Sequence, residues 1–255
     1  MEIKLLLPFL VVLCVPVHQQ NVVRIKRSHD ACPAGPWAIP AKTVPGGSIS
    51  TGAVDTCCTG TTGTHRAMIF QFIEVSTSTG VDQITSIVLG GTIVCNNSPI
   101  MAARSSKAGT QGFDAEVWVA GDCSRTTSST NVTWNFTGGG VANRAIYEVT
   151  GLACLPVIDG SPSQTTGSST TSTQPGPTVT TTVTGDFISS VLSPQVFSNI
   201  CTGVQSGWTY GSAVNGCNAN LTSNSATAGT YGPTWTMNTG GSFSWAAATV
   251  AFTPN

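Results

Sequence analysis

The sequence has few charged residues. Asp, Glu, Lys and Arg make up 8% of its 255 residues, whereas about 25% is usual in a soluble globular domain. The 10 basic and 11 acidic side chains give a net charge of −1, and without a basic surface we expect no nucleic-acid binding. A disordered chain would carry more charge, and a coiled coil would need many Glu, Lys and Leu residues, so neither class fits.

Helical periodicity is nearly absent as well. Short β-branched and aromatic runs alternate instead with clusters of Gly, Ser, Thr, Asn and Pro, which is typical of a β-sandwich or barrel. We therefore predict an all-β, antiparallel fold. The clearest predicted strands are residues 67–75, 84–94, 115–120, 131–137, 144–152, 178–184, 187–192 and 243–252.

The N-terminal region has the features of an exported protein. An apolar run after Lys4 makes residues 1–17 a predicted secretory signal peptide, with a retained hydrophobic anchor as the alternative. This run is shorter than the ~20 residues that span a bilayer, and no later run is long enough, so the mature chain should lack a transmembrane span. Residues 18–49 are interpreted as a basic patch and a proline-rich extended arm. The patch is either a furin-like processing site or a solvated stretch, and its residues are Arg24, Lys26 and Arg27.

The cysteines agree with export. Apart from Cys14, eight remain, an even number that allows up to four disulfides in an oxidising compartment. A zinc site would require paired C-x-x-C motifs or interspersed histidines, and the sequence has neither, so disulfides are favoured. Adjacent Cys57 and Cys58 should bond to different partners, and Cys201 and Cys217 flank a Gly-rich turn and are placed to close a hairpin. The disulfide candidates are Cys32, Cys57, Cys58, Cys95, Cys123, Cys154, Cys201 and Cys217.

Four sequons predict N-glycosylation if the chain passes through a eukaryotic secretory pathway. Two of them lie in residues 131–137, where alternation puts Val132, Trp134 and Phe136 on one face and the asparagines on the opposite, solvent-facing side. The candidate asparagines are Asn96, Asn131, Asn135 and Asn220.

Residues 161–184 are rich in Ser and Thr. They form either an O-glycosylated linker between two domains or a long polar loop that leads into a Thr-rich strand. Because residues 185–255 alone would make a poor core, we favour a loop at 161–178 inside a single domain of residues 50–255.

Four motifs follow one another along that domain. They are the Arg66-Ala67 and Gly90-Gly91 region of residues 64–91, Thr133-Trp134 through residues 144–151, residues 180–192, and Trp245-Ala246-Ala247 in residues 244–252. This series resembles jelly-roll β-sandwich domains of secreted bacterial and phage surface proteins. The resemblance implies a jelly roll that serves as a structural, adhesive or carbohydrate-associated module, and it brings no catalytic residue set.

Candidate catalytic groups are sparse. No G-x-S-x-G elbow presents a serine, and His65, just before a predicted strand, should have a surface or capping role. Asp114 and Glu116 form the one close carboxylate pair and should be solvated. A glycosidase would need Glu74 or Glu148 to approach them from other strands. We predict no catalytic residue, no metal and no cofactor.

Sugar binding on a β-sandwich depends on exposed aromatic rings. Trp208 and Tyr210 lie on one face of a glycine-bracketed strand and are the carbohydrate-binding candidates. Trp134, Trp235 and Trp245 fall in apolar alternation and should be in the core.

Low charge also bears on function, because it leaves little electrostatic protection against association. We expect a non-enzymatic, secreted structural or adhesive subunit that self-associates on a cell surface, in a filament or on a virion. In such an assembly the arm would donate a strand to a neighbouring copy. The alternatives are a lectin-like module with glycans as partners and a glycoside hydrolase.

Overall fold

A computed structural model describes residues 35–43, 46–57, 63–76, 83–108, 111–195, 201–210, 217–221, 226–238 and 242–255. They belong to one compact unit, Ala31–Asn255, and contain no helix. Their strands are β1 (Ala38–Thr43), β2 (Gly46–Ser50), β3 (Ala53–Cys57), β4 (Gly63–Ser76), β5 (Ile84–Leu89), β6 (Ile93–Val94), β7 (Ile100–Lys107), β8 (Phe113–Arg125), β9 (Thr130–Phe136), β10 (Gly139–Thr150), β11 (Ser163–Ser169), β12 (Thr173–Pro175), β13 (Val179–Thr180), β14 (Phe187–Pro194), β15 (Cys201–Val204), β16 (Trp208–Tyr210), β17 (Cys217–Leu221), β18 (Thr230–Tyr231), β19 (Thr234–Met237) and β20 (Phe243–Phe252).

The longest strands form a central seven-stranded sheet. Its order is β1-β10-β4-β8-β6, with β2 also paired with β10 and β7 also paired with β8. All of these pairings are antiparallel. Most of β4 and β8 is buried on both faces. Since alternate side chains of a strand point to opposite faces, this burial means that the sheet is covered on both sides.

One face of the central sheet packs against a three-stranded sheet of order β3-β9-β5. Met68, Phe70 and Phe72 of β4 form a core cluster there with Trp134 and Phe136 of β9. The ring of Trp134 lies 6.0 Å from the rings of both Phe70 and Phe72, edge-on to the first and stacked on the second. Each ring that is fully buried in this way contributes about 1.5–3 kcal/mol.

The opposite face packs against a five-stranded sheet of order β11-β20-β14-β17-β16. Ile69 and Ile73 of β4 share a core with Val191 of β14 and Val250 of β20. Two small sheets, β12-β19-β15 and β13-β18, complete the fold. The three larger sheets therefore stack as three layers with two separate cores between them.

The all-β, antiparallel and disulfide-stabilised fold is confirmed. Disulfides join Cys95 to Cys123 and Cys201 to Cys217. Because β15 and β17 belong to different sheets, the second disulfide ties two sheets together and does not close a simple hairpin. The jelly-roll connectivity stays a prediction.

The other cysteine candidates divide into two groups. Cys57 and Cys154 are disulfide-bonded. Cys32 and Cys58 lie outside the described residues, so the prediction that Cys57 and Cys58 have different partners stays open.

The polar loop predicted at 161–178 is wrong, because this tract contains two strands. β11 pairs with β20 along its whole length, and β12 pairs with β19. Threonine is β-branched and favours strands. The tract was nevertheless interpreted as a loop, because it is rich in polar Ser and Thr residues. Side chains of β11 alternate between half-buried and exposed, as expected for an edge strand with one face on the protein.

The described part of the predicted arm does not extend away from the domain. β1 and β2 run antiparallel to β10 of the same chain, so residues 38–43 and 46–50 lie in the central sheet. Trp37 anchors the segment: its ring packs edge-on against Phe187 at 5.0 Å, and its Nε1 donates a hydrogen bond to the Asp186 carbonyl oxygen at 3.2 Å. The predicted signal and processing residues Arg24, Lys26 and Arg27 lie outside the described residues.

Candidate interaction surface

Most charged side chains of the described chain lie in its interior. Lys42 is the only Asp, Glu, Lys or Arg among the described residues that is exposed. The prediction that Asp114 and Glu116 are solvated is wrong, because each is 0% exposed. The buried charged residues are Arg66, Glu74, Asp114, Glu116, Arg125, Arg144, Glu148, Asp159 and Asp186.

An ion-pair cluster on the central sheet accounts for part of this burial. Glu148 of β10 accepts hydrogen bonds from Arg66 of β4 and from Arg125 of β8, whose Nε lies 2.5 Å from Glu148 Oε1. The side chains of Glu148 and Arg125 are each 1% exposed. Glu148 is thus neutralised by two guanidinium groups, whereas a glycosidase would need it to face another carboxylate across a cleft.

A second cluster joins Arg104 of β7 to the carboxylate pair of β8. Arg104 Nε donates to Asp114 Oδ1 at 3.1 Å and lies 3.4 Å from Glu116 Oε1. Trp118 Nε1 and the backbone nitrogen of Ile84 also donate to Glu116. Burial, and then the hydrogen bond and negative charge of Glu116, raise the pKa of Asp114 well above its usual value despite the opposing effect of Arg104.

A third buried pair is Asp159 and Asp186. Burial raises the pKa of Asp159, but hydrogen bonds from Thr182 and Val183 outweigh burial and lower this pKa to about 2. Burial, together with the hydrogen bond and charge of Asp159, raises the pKa of Asp186 to about 7. The pair therefore takes up one proton, on Asp186, as the pH falls through about 7.

Strands β5, β6 and β7 carry four exposed apolar side chains. We call Val88, Val94, Ile100 and Met101 the edge patch, and they are 51%, 66%, 53% and 50% exposed. Val88 and Val94 line a groove of about 350 Å³, and Met101 lines a second groove of about 640 Å³ between β7 and β11. Among the described strands, β5 and β7 each have one neighbour, so the patch adjoins two strand edges without a strand partner.

The predicted aromatic platform is not supported at Trp208. This side chain is 8% exposed and belongs to the core between the central and five-stranded sheets. The pairing of β16 with β17 brings Trp208 into that core, so its prediction as an exposed sugar-stacking residue is wrong. The side chain of Tyr210 lies outside the described residues.

The predicted glycosylation sites fall into different environments. Asn220 is 1% exposed and accepts a hydrogen bond from Gln71, so its prediction is wrong because a glycan has no room there. Asn131 is exposed, and Asn135 donates to Ser86 at 3.0 Å. Asn96 donates to a carboxylate on β8. The latter three sites stay predictions.

His65 lies in β4 beside Asp122 of β8, at an irregular point in the pairing of the two strands. Its Nδ1 is 2.9 Å from Asp122 Oδ1, and its side chain is 26% exposed. Both residues have left-handed backbone conformations, with φ of 55° and 49°, which few residues other than glycine adopt. No sequence motif indicates this contact, because it depends on strand register between residues 57 positions apart.

Comparison of the chain with protein-family models, curated proteins and solved structures gives no match. The resemblance to jelly-roll surface domains therefore stays a prediction. Within the described ranges, no helix has the length and apolar character needed to cross a membrane.

Proposed function

We propose that this chain is a non-enzymatic structural or adhesive subunit of an extracellular assembly and that it associates with further copies of itself through the edge patch. The observation that carries the proposal is the nearly uncharged exterior of the described residues, on which Lys42 is the only exposed charge. Charged surfaces keep soluble proteins apart, and a net charge near zero promotes association.

The edge patch supplies an attractive surface. Fully burying one Val, Ile or Met side chain contributes about 1.5–3 kcal/mol. The four patch side chains are 50–66% exposed, so covering them would contribute about 3–6 kcal/mol in total. By itself this changes an association constant by about two to four orders of magnitude. The neighbouring open edges of β5 and β7 offer backbone hydrogen bonds in addition.

Disulfides support a location outside the cell, since such bonds persist in oxidising compartments. The burial of Glu148 and of the Asp114–Glu116 pair supports a non-enzymatic role, because these carboxylates are held by arginines. The arm plays a smaller part in this proposal than the sequence predicts, because β1 and β2 are already paired within their own chain.

Size-exclusion chromatography with light scattering tests the proposal on oxidised, secreted protein. We expect wild type to elute as an oligomer or polymer and the double variant Val94→Lys/Met101→Lys to shift towards one chain. Val183→Lys is the matched control, because Val183 is an exposed apolar residue outside the patch, at 39% exposure. A wild-type protein that is monomeric at high concentration contradicts the proposal, as does equal disruption by the control.

A further inference from the structure

Three potential metal ligands from separate segments meet beside the β4–β8 pair. They are His65 of β4, Asp122 of β8 and Cys154 of the connection between β10 and β11. One ligand atom from each lies within 4.8 Å of the other two, and all three residues are half-buried. Ligands bound to zinc at about 2.0–2.3 Å in a tetrahedron lie roughly 3.5 Å apart. Shifts of about an ångström would therefore bring the three atoms around one ion.

The backbone holds two of these ligands in an uncommon conformation. The left-handed φ values of His65 and Asp122 cost about 1–3 kcal/mol each, a strain that is concentrated at functional sites. The pairing register shifts on both sides of Arg66, next to His65. Such bulges re-aim a side chain, and here they turn the His65 ring towards the Asp122 carboxylate.

Neighbouring residues fix the remaining geometry. Asn96 donates a hydrogen bond to Asp122 Oδ2, and the backbone nitrogen of Gly121 donates to Asn97 Oδ1 at 2.8 Å. A methyl group on Gly121 would lie only 2.6 Å from the Cys154 carbonyl oxygen. The segment that carries Cys154 is thus pressed against β8, and the site is held from several sides, as metal centres usually are.

We propose that His65, Asp122 and Cys154 bind a zinc ion once the disulfide of Cys154 has been reduced. In the oxidised chain Cys154 is disulfide-bonded, and a neutral disulfide sulfur is a poor ligand because metals bind the thiolate. A dithiol supplies the two electrons: it cleaves the disulfide into two cysteine thiols and becomes a disulfide itself. The Cys154 thiol then gives its proton to solvent as the metal binds.

Charge and ligand type both favour zinc. A Cys154 thiolate and an Asp122 carboxylate within 4.8 Å of each other repel. A divalent cation between them, with neutral His65 as third ligand, gives a site with no net charge. One nitrogen, one oxygen and one sulfur donor suit a borderline-soft ion, and water can take the fourth position.

A zinc titration against a chromophoric chelator tests the site on the full exported chain. Oxidised wild type, wild type reduced with a phosphine, and reduced His65→Ala are compared after the reductant has been removed without oxygen. His65→Ala keeps every thiol, so zinc held by other reduced cysteines cancels in the comparison. We expect reduced wild type to hold about one zinc ion more than reduced His65→Ala, and more zinc than the oxidised protein.

Cobalt provides a readout of the sulfur ligand. Reduced wild type with Co²⁺ should show a thiolate-to-cobalt absorption band that Cys154→Ser lacks, while the matched variant Cys201→Ser/Cys217→Ser retains it. Circular dichroism verifies that each reduced variant keeps its β structure. The proposal is overturned if reduced wild type and His65→Ala bind equal amounts of zinc, if oxidised wild type binds as tightly as reduced, or if the band persists in Cys154→Ser.

Discussion

Replacing Glu148 with glutamine tests whether the buried ion pairs stabilise the central sheet. The glutamine keeps the shape of the side chain, but it removes the negative charge and presents an NH₂ group to two guanidinium donors. Arg66 and Arg125, whose side chains are 8% and 1% exposed, would then lose their shared carboxylate. Removing one partner from a buried ion pair costs about 3–5 kcal/mol, because the remaining charge stays desolvated.

Urea unfolding followed by tryptophan fluorescence measures this loss, with calorimetry as a second readout. For a unit of this size 1 kcal/mol shifts the melting temperature by about 2–4 °C, so Glu148→Gln should melt about 6–20 °C lower. Lys42→Gln is the control, because an exposed charge should change stability by less than about 0.5 kcal/mol. A Glu148→Gln stability within about 1 kcal/mol of wild type would refute the reasoning.

Three further predictions concern other buried groups. The pKa of Asp186 is raised to about 7 from an ordinary 3.8. Its contribution to stability is therefore present below pH 4 and is lost as the pH rises through 7. The pKa of Asp159 is lowered to about 2, so its contribution is present above pH 4 and is lost as the pH falls through 2. Asp186→Asn, which keeps a hydrogen-bond donor, should therefore reduce the dependence of the urea unfolding midpoint on pH between pH 5 and 8. A pH dependence equal to that of wild type would contradict this. Trp134→Ala should lower the free energy of unfolding by about 3–5 kcal/mol in urea titrations, and a loss below about 1 kcal/mol would show that the site is not tightly packed. Removing the disulfide with Cys201→Ala/Cys217→Ala should cost about 3 kcal/mol for a loop of this length, and unchanged thermal stability would count against the bond.

Local pattern was enough to predict the strands with one polar face. In β9 the alternation of Val132, Trp134 and Phe136 with polar residues predicts the observed burial, since a period of two is a property of the strand alone. The same reasoning predicts an exposed side for β8, whose charged residues Asp114 and Glu116 are in fact covered. Their burial depends on the second layer above each face, which no local pattern reveals.

The buried charges were beyond sequence reasoning for a related reason. Glu148 meets Arg66 across 82 positions and Arg125 across 23, and only the antiparallel register of three strands brings them together. Acidic residues are most often solvated, so the pattern favoured the wrong environment for Asp114 and Glu116. Trp208 was misjudged for the same cause, because the sequence predicts its strand but not the pairing with β17 that brings the side chain into the core.

The burial of so many charges has a consequence for the exterior of the molecule. Most charges in the described residues are buried, so the surface of these residues is left mainly to Ser, Thr, Asn and apolar side chains. This distribution, more than the low total charge, distinguishes the described residues from an ordinary soluble domain. It is the physical basis for the proposal that the edge patch lies at a contact between copies.

Sedimentation velocity over a dilution series of the oxidised, secreted wild-type protein tests this account most directly. The account predicts a weight-average mass that rises above that of one chain as concentration increases. It also predicts weak dependence on salt, because the contact is apolar and the surrounding surface is nearly uncharged. A mass that stays at one chain over the whole series would contradict self-association, and a strong salt dependence would contradict an apolar contact.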